Sequence, residues 1–535
     1  MGIPSYFSYI IKNHSNTLRV LSAHPMDVDN LYLDCNSLIY DAFYKLDTTA
    51  LTITDDISNA IITRVIVAIK EHIRLLSPRG RLMIAFDGVA PVAKLEQQRS
   101  RRFKSVFQNT LSRSIHKTTT PDPWNTTVIT PGTGFMNALD ERVTHAFATP
   151  TDFGLASVVV SGSQCAGEGE HKIFQYIRDH VDEHAHTNTV IYGLDADLIM
   201  LSINHLPIAP NLYLFRETPE FIKSIHAELD PTETYMLDIP ALASIITLDM
   251  NNGEPLTSDQ HKNRIYDYIL LCFFLGNDFM PHFPALNIRT GGVDKMLQAY
   301  KATIGNTPYN LTDGKTIHWK QVRKLVEFLA ANEHTFIKQE HKLRDRKEKH
   351  RLPDISAKDK MDNFMNIPSY DRSVEKFINP YKDNWQQRYY QALFELDIND
   401  ERRKQICVNY LEGLEWTMTY YTTGCPDWRW SYHYHYPPLL EDLIQFVPFF
   451  NTEMVAKKPA QPVTDLVQLC YVLPRQSLSF LPEPLYTALV REKMDMYRTD
   501  CEFSWAYCKY FWESHPNLPH INIDELEAFV ERHKT

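Results

Sequence analysis

The first 300 residues alternate short apolar segments with longer segments of helical periodicity, and this alternation constrains the fold more than any other feature. In residues 57–76, for example, Ile57, Ile61 and Val65 recur on one helical face. Strands that alternate with helices pack as right-handed βαβ units. We therefore predict an α/β fold, with a mostly parallel central sheet flanked by helices. The predicted strands are LYLDCN (31–36), RLMIAFDG (81–88), ASVVVSGS (156–163), TVIYGLD (189–195) and NLYLFRE (211–217).

The character of the chain changes twice after this region. A densely charged segment, 332–363, predicts a solvated helix and linker, and from 371 onward the sequence is rich in aromatic residues. Because 535 residues are too many for one ordinary domain, we predict three regions. These are a core at 1–300, a charged helical linker at 301–370, and a helix-rich aromatic second lobe at 371–535.

Net charge and cysteine usage exclude several classes of protein. A formal charge of −11 argues against a protein that coats nucleic acid electrostatically, so any phosphate-binding surface must be local. The eight cysteines contain no CxxC pair and no zinc-ligand spacing, which favours a reducing compartment. No apolar stretch reaches the length of a membrane span, and the N-terminus lacks a signal-peptide pattern. We expect an intracellular protein, with the cytoplasm favoured over the nucleus, and no membrane association.

Acidic residues follow several of the predicted strands. In an open α/β sheet, ligands bind outside the carboxyl ends of the strands, so these side chains are predicted to converge. Glu168 and Glu170 are flanked by Gly167 and Gly169, which leave room for close approach. Asp278 follows an apolar helix (265–276) with a predicted C-cap at Gly276. The seven candidate carboxylates are Asp34, Asp87, Glu168, Glu170, Asp195, Asp197 and Asp278.

Seven carboxylates at one edge require a counter-charge. Oxygen ligands without neighbouring cysteines select a hard divalent cation, Mg²⁺ or Mn²⁺, over zinc. So many acids favour two ions about 4 Å apart, the arrangement used to cleave phosphodiesters. The alternative is that each acid is only a helix cap or a surface charge.

A basic segment, APVAKLEQQRSRRFKS (90–105), directly follows Asp87. If it is helical, one face carries Lys94, Gln98, Arg101 and Arg102. An ammonium, an amide and two guanidinium groups suit a doubly charged terminal phosphate. The alternative is a solvated basic helix.

Farther along, residues 425–440 alternate aromatic side chains as an extended segment would. Most of these rings are expected to be structural, with one or two as candidates for stacking on a base.

Taken together, these motifs resemble the eukaryotic XRN-type 5′→3′ exoribonucleases. The matching segments occur in the family's order across nearly the whole chain. They are MGIPSYF (1–7), LYLDCNSLIYD (31–41), FDGVAPVAKLEQQRSRRF (86–103), ITPGTGFM (129–136), GEGEHKI (167–173), YGLDADLIML (192–201), FFLGNDFMPHFP (273–284), GCPDWRWSYHYHYPPLLEDL (424–443) and VLPRQSLSFLPEPL (472–485).

The resemblance implies a PIN/FEN-like nuclease core whose active site is closed by the second lobe, in a compact two-lobe member of the family. It implies that all seven carboxylates bind metal and take part in catalysis. It also implies that Lys94, Gln98, Arg101 and Arg102 hold the substrate's 5′-monophosphate, and that Tyr40 and Trp430 stack on the 5′ base. Three positions depart from the family pattern: Tyr40 replaces a histidine, Val92 an arginine and Glu96 an uncharged residue.

The function expected from this resemblance is processive 5′→3′ hydrolysis of single-stranded RNA bearing a 5′-monophosphate, with release of 5′-mononucleotides by two-metal-ion catalysis. The protein is expected to act as a monomer. Two alternatives stay open. One is a structure-specific nuclease of the flap type, acting on DNA or RNA with the same metals. The other is a catalytically silent RNA-binding scaffold that keeps the fold.

Overall fold

The computed structural model describes residues 5–23, 26–47, 54–118, 124–218, 222–394 and 399–534. The first four residues of the MGIPSYF motif therefore lie outside the described part of the chain. The strands are β1 Leu18–Val20, β2 Asn30–Asp34, β3 Arg81–Ala85, β4 Ser157–Ser161, β5 Thr189–Tyr192, β6 Leu212–Phe215, β7 Tyr235–Asp238, β8 Phe503–Ser504 and β9 His515–Pro516.

The helices surround and extend this framework. Those of the first half are α1 Tyr6–Asn13, α2 Asn36–Tyr44, α3 Thr54–Leu76, α4 Val92–His116, α5 Gly134–Ala146, α6 Gly169–Asp179, α7 Val181–His184, α8 Asp197–His205, α9 Ile222–Ile225, α10 Ile239–Met250 and α11 Ser258–Phe273. Those of the second half are α12 Gly292–Thr303, α13 Trp319–Glu348, α14 Ala357–Met365, α15 Ile367–Tyr370, α16 Ser373–Ile378, α17 Trp385–Phe394, α18 Asp400–Thr422, α19 Leu440–Phe446, α20 Asp465–Val472, α21 Glu483–Glu492 and α22 Ile523–His533.

Seven strands form the central sheet in the order β1-β7-β6-β5-β2-β3-β4. The five strands β2 to β6 run parallel to one another, which confirms the predicted parallel sheet. Strands β1 and β7, which pair antiparallel at one edge, were not predicted from the sequence. β1 has only three residues, and β7 continues directly into α10, so neither shows a separate strand pattern.

Helices cover both faces of the sheet, as a buried parallel sheet requires. Alternate residues of β2 show this directly. Leu31 and Leu33 belong to a core shared with α2, α3 and α5. Tyr32, between them, belongs to the opposite core, which it shares with α6, α8, α10 and α11. The part of the chain that contains the central sheet is thus a three-layer α/β unit.

The C-terminal segment fixes the start of α4, the helix predicted from the basic sequence 90–105. The backbone N–H of Ala90 donates to the Gln468 side chain at 2.9 Å, and that of Val92 donates to the Trp428 carbonyl at 3.0 Å. Val92 and Leu95 are buried in one apolar cluster with residues of α20 and α22. Residues far apart in sequence therefore set the position of α4.

The charged segment 332–363 is less solvated than the sequence predicted. Residues 332–348 of this segment lie within the 30-residue helix α13, and two buried charged residues of this helix, Glu333 and Arg344, have partners. Glu333 accepts the backbone N–H groups of Leu440 and Glu441, and Arg344 forms a 2.6 Å ion pair with Glu375. Charge density alone does not distinguish such paired groups from solvated ones. The domain limits at 300 and 370 stay predictions.

The aromatic segment 425–440 is irregular rather than a strand, and its rings pack against the helical lobe. Trp430 stacks on Trp416 of α18, with ring centroids 5.1 Å apart. Tyr432 packs edge-on against Tyr410.

In the described part of the chain, no helix is long and apolar enough to cross a membrane.

Candidate active site

The predicted carboxylates lie at the carboxyl edge of the parallel sheet. Strand β2 ends at Asp34, which is in register with Ala85, the last residue of β3. Ala85 is in turn in register with Ser161, the last residue of β4. Asp87 follows β3 by two residues, and Glu168 immediately precedes α6. Because the neighbouring strands end level, their following residues meet at one site.

Gly169 allows the acids of two strands to approach the beginning of α6. Its backbone N–H donates to Asp87 Oδ1 at 2.7 Å. A Cβ atom added at this position would lie 2.6 Å from Asp34 Oδ1, closer than non-bonded atoms approach. A larger residue would therefore displace the Asp34 carboxylate, so glycine provides the close approach expected from the sequence.

Asn36, which the sequence analysis did not select, orients Asp87. Its side-chain amide donates to Asp87 Oδ2 at 2.6 Å, and its Oδ1 accepts the Asp87 backbone N–H at 3.0 Å. The only signal was its position just after β2 in LYLDCN. An asparagine there is also a common helix-start residue, so the sequence did not distinguish the two roles.

Lys94 connects the carboxylates of two distant segments. Its ammonium lies 2.5 Å from a carboxylate oxygen of Glu168 and 2.5 Å from one of Asp278. All three side chains are buried. Asp278 follows α11, which ends at Phe273, so Gly276 is not its C-cap; Gly276 instead has a left-handed backbone (φ 84°) in the turn that leads to Asp278. The structure thus places Lys94 against the acids.

An aromatic residue of the helical lobe also contacts the cluster. The Tyr420 hydroxyl donates to the second oxygen of Glu168 at 3.2 Å. Its ring stacks on the His171 imidazole with centroids 3.8 Å apart and planes 15° apart. Burial holds the pKa of His171 well below its usual value, so the imidazole is neutral. Tyr420 lies outside every motif that suggested chemistry, so no sequence pattern indicated its role.

Burial and mutual repulsion raise the pKa values of several carboxylates in the cluster. Burial and then repulsion by Asp87 hold the pKa of Asp34 well above its usual value. Burial and then repulsion by Asp197 do the same to the pKa of Glu170. Burial, followed by repulsion from Asp278, raises the pKa of Asp197 to about 7. Burial opposes ionisation of Asp278 too, but the Lys94 ammonium outweighs it and lowers the pKa of that carboxyl.

The donor set fits a divalent cation. Within the described residues, the buried oxygens Asp34 Oδ1 and Asp197 Oδ1 have no hydrogen-bond partner. Ligand atoms of Glu168, Glu170 and His171 lie within 4.8 Å of one another. Buried carboxylate oxygens that lack donors are stabilised by a hard cation. Asp195 is exposed and lies at the solvent side of the cluster, between β5 and α8.

The other residues predicted to bind phosphate lie farther along α4. The Arg102 side chain is half-buried, and its Nη1 atom is enclosed without a hydrogen-bond partner among the described residues. Burial lowers the pKa of Arg102 to about 10. The Oε1 atom of Gln98 is likewise enclosed and unpartnered within the described chain, whereas Arg101 is exposed. An enclosed guanidinium with an unused donor is suited to an anion.

The three residues that depart from the family pattern, Tyr40, Val92 and Glu96, all contact other parts of the protein. Glu96 accepts a hydrogen bond from the Tyr471 hydroxyl at 2.8 Å and lies 3.8 Å from Arg99. Val92 is buried in the cluster that joins α4 to α20 and α22. Tyr40, on α2, packs against the core beneath the sheet. The proposed stacking roles of Tyr40 and Trp430 stay predictions.

Comparison with known proteins agrees with this geometry. A family model described as the XRN 5′–3′ exonuclease N-terminus matches residues 1–218, and one described as the Xrn1 helical domain matches residues 259–375 and 356–534. A 5′–3′ exoribonuclease 2 homolog of Drosophila melanogaster is 27% identical, over 98% of this chain and 70% of the relative. Human 5′–3′ exoribonuclease 1 is 27% identical, over 99% of this chain and 34% of the human protein. The Saccharomyces cerevisiae 5′–3′ exoribonuclease 1 is 24% identical, over 92% of this chain and 40% of the yeast protein. The chain therefore belongs to the XRN 5′–3′ exonuclease family, and the protein is a nuclease.

Proposed function

We propose that the protein is a metal-dependent 5′→3′ exoribonuclease that hydrolyses single-stranded RNA bearing a 5′-monophosphate and releases 5′-mononucleotides. The observation that carries this proposal is the carboxylate cluster at the sheet edge, where Lys94 bridges Glu168 and Asp278 at 2.5 Å. The names of the relatives, 5′–3′ exoribonucleases 1 and 2, support RNA as the substrate.

The seven carboxylates predicted from the sequence are the proposed metal ligands, with Asp34, Glu168, Glu170 and Asp197 contributing the enclosed oxygens. Their number favours two divalent cations, Mg²⁺ or Mn²⁺. Bound cations would neutralise the cluster, favour ionisation of the attacking water and stabilise the leaving oxygen of the phosphodiester.

The residues of α4 are proposed to select the substrate end. Arg102, Arg101 and Gln98 would bind the terminal phosphate, since a half-buried guanidinium fork pairs well with a doubly charged phosphate. Lys94, one turn nearer the carboxylates, would contact the terminal phosphate from the side of the cluster. This placement would hold the next phosphodiester at the acids and so fix the step at one nucleotide.

The proposal also includes stacking on the first base of the RNA and repeated cycles of cleavage. Tyr40 and Trp430 would stack on the first base; a phenol can stack but carries no charge near neutral pH. Each hydrolysis leaves a new 5′-monophosphate on the shortened RNA. Because the product of one cycle is the substrate of the next, the reaction would proceed processively.

The test uses one single-stranded RNA prepared with a 5′-monophosphate, a 5′-triphosphate or a 5′-hydroxyl, incubated with the protein and Mg²⁺. A duplex DNA junction with a single-stranded flap serves as a fourth substrate. Mononucleotide release from the monophosphate RNA alone, abolished in an Asp195→Asn/Asp197→Asn variant, is the expected result. Preferred cleavage of the flap would contradict RNA as the substrate, and equal decay of all three RNAs would contradict the terminal-phosphate pocket.

A further inference from the structure

A cavity of about 380 Å³ lies on the side of α4 that faces away from Gln98 and Arg102. Ala93, Gln97 and Ser100 of α4 form one wall, and Asp278 lies at one end. The opposite wall comes from the aromatic segment and the region of β9. The cavity therefore adjoins the carboxylate cluster and shares Arg101 with the α4 face proposed to bind the substrate's terminal phosphate, whereas Gln98 and Arg102 do not line it.

Basic side chains concentrate in this cavity. It is lined by Arg101 and Lys104 of α4 and by three histidines, His282, His435 and His515. The acids that line it are already engaged: Glu513 forms a 2.7 Å ion pair with Arg289, and Asp278 is held by Lys94. Glu96 is bonded to Tyr471. Lys104 donates to the backbone carbonyls of Trp512 and Ser514 at 2.7 Å, and in the described chain it forms no ion pair with these acids.

Burial disfavours the charged forms of three of the basic groups in this cavity. Burial lowers the pKa of His282 to about 4 and that of Lys104 to about 8. Burial, then repulsion by His435 and Lys104, holds the pKa of His515 well below its usual value. An anion in the cavity would stabilise the charged form of each group.

The cavity also offers unused hydrogen-bonding atoms and aromatic faces. His282 Nε2 is enclosed and has no hydrogen-bond partner among the described residues. His435 stacks on His515, with ring centroids 4.9 Å apart, and Tyr432, Tyr434 and Trp512 supply further rings. A volume near the lower end of the range for small-ligand sites, about 300–1,000 Å³, suits one small molecule rather than a strand.

We propose that this cavity binds a nucleoside 5′-monophosphate, the released product, with the phosphate among His282, Lys104 and Arg101 and the base against the aromatic wall. That the ligand is the released product rests on the proposed function. The groups that would bind its phosphate and its base are taken from the cavity alone. Its position beside Asp278 places the cavity where a nucleotide cleaved from the 5′ end would leave the carboxylates.

The test is calorimetric titration of the full chain with adenosine 5′-monophosphate in EDTA, so that no metal recruits the nucleotide. Inorganic phosphate and adenosine are titrated separately. We expect the nucleotide to bind the cavity at least about tenfold more tightly than either fragment, since phosphate and base contacts combine. Equal affinity for phosphate and nucleotide would contradict the assignment of the base to the aromatic wall.

Four variants locate the site. His282→Leu and the exposed His435→Ala are expected to weaken nucleotide binding, by about tenfold and several-fold respectively. His116→Ala, which removes an exposed histidine of α4 outside the cavity, should change it less than twofold. Arg102→Ala removes a guanidinium of the substrate face and so tests that face as the alternative site. Loss of binding in Arg102→Ala but not in the cavity variants would assign the nucleotide to the substrate face and overturn the inference.

The RNA assay of the proposed function separates the two claims. RNA hydrolysis by a protein that does not bind the nucleotide in this cavity would overturn the product site and leave the proposed function intact. Nucleotide binding that is lost in His282→Leu, in a protein that does not hydrolyse RNA, would overturn the proposed function and support the cavity as a nucleotide site.

Discussion

The ammonium of Lys94 lies 2.5 Å from a carboxylate oxygen of Asp278, although the two residues are 184 positions apart. One stands at the start of α4, which the C-terminal segment fixes through Gln468 and Trp428. The other follows α11, which packs against α8, α10 and α18. The contact therefore depends on both halves of the chain, and so does the geometry of the carboxylate cluster.

Replacing Lys94 tests its role as a counter-charge. Lys94→Met leaves Glu168 and Asp278 buried without their cation, so in EDTA the free energy of unfolding should fall by about 3–5 kcal/mol. Saturating Mg²⁺ should reduce this loss, because the cation replaces the missing charge. Urea denaturation with and without Mg²⁺ measures both. Lys301→Met, which removes a surface pair with Asp249, should cost about 1 kcal/mol or less in either condition. An equal loss for Lys94→Met in EDTA and in Mg²⁺ would contradict the metal account.

The raised pKa values predict how metal-free stability depends on pH. Asp34, Glu170 and Asp197 bind protons in the folded state at pH values where the unfolded chain has released them. Their contribution is therefore fully present below about pH 4 and is lost as the pH rises toward and beyond about 7. In EDTA, the free energy of unfolding should fall across this window, by on the order of 3 kcal/mol for Asp197 alone.

Denaturation at a series of pH values provides the measurement, with Asp197→Asn as the matched variant. This substitution removes one titrating group, so the decline should be shallower, and saturating Mg²⁺ should flatten it further. A metal-free stability that rises between pH 5 and 7 would mean that the carboxylates are not crowded as described.

Tyr420 is expected to position Glu168 rather than to react. Tyr420→Phe keeps the ring that stacks on His171 but removes the hydroxyl that donates to Glu168. The Mg²⁺ concentration for half-maximal activity should rise by about tenfold, with the maximal rate largely kept at saturating metal. Tyr381→Phe, which removes an exposed hydroxyl bonded to the Lys338 carbonyl, should leave the metal dependence unchanged. A lower maximal rate without a change in metal dependence would contradict the positioning role.

Gly169 and Gly134 each begin a helix, but only Gly169 lies close to a carboxylate of the cluster, so the two can be compared as test and control. Gly169 begins α6 and Gly134 begins α5. A Cβ at Gly169 would lie 2.6 Å from Asp34 Oδ1, whereas one at Gly134 has no heavy atom within 4 Å. Gly169→Ala should therefore lower kcat by at least about 100-fold through a displaced Asp34, and Gly134→Ala should leave it near the wild-type value. Similar activities for the two variants would show that the spacing at α6 is not needed.

Much of the sheet could be predicted because its central strands are continuous apolar segments separated by clear helices. The carboxylates could be predicted as a group because strand ends in a parallel sheet share an edge. The contact of Lys94 with Glu168 and Asp278 could not, since helical spacing placed it with Gln98 and Arg102 and gave no information on the distant segments that meet it.

Other features depend on packing that a sequence pattern does not contain. The burial of Glu333 and Arg344 on α13 requires partners from later segments. The role of Asn36 requires knowing that β2 and β3 are neighbours. Tyr420 has the composition of any core tyrosine, and only its position opposite Glu168 distinguishes it.

The most direct test of the central claim is the length of the first product. Single-stranded RNA labelled in its 5′-phosphate is mixed with excess protein and Mg²⁺, and the reaction is stopped within the first turnover. The account predicts that the label appears first as a 5′-mononucleotide, because the terminal phosphate is held one step from the carboxylates. A labelled oligonucleotide as the first product would show internal cleavage and contradict the account.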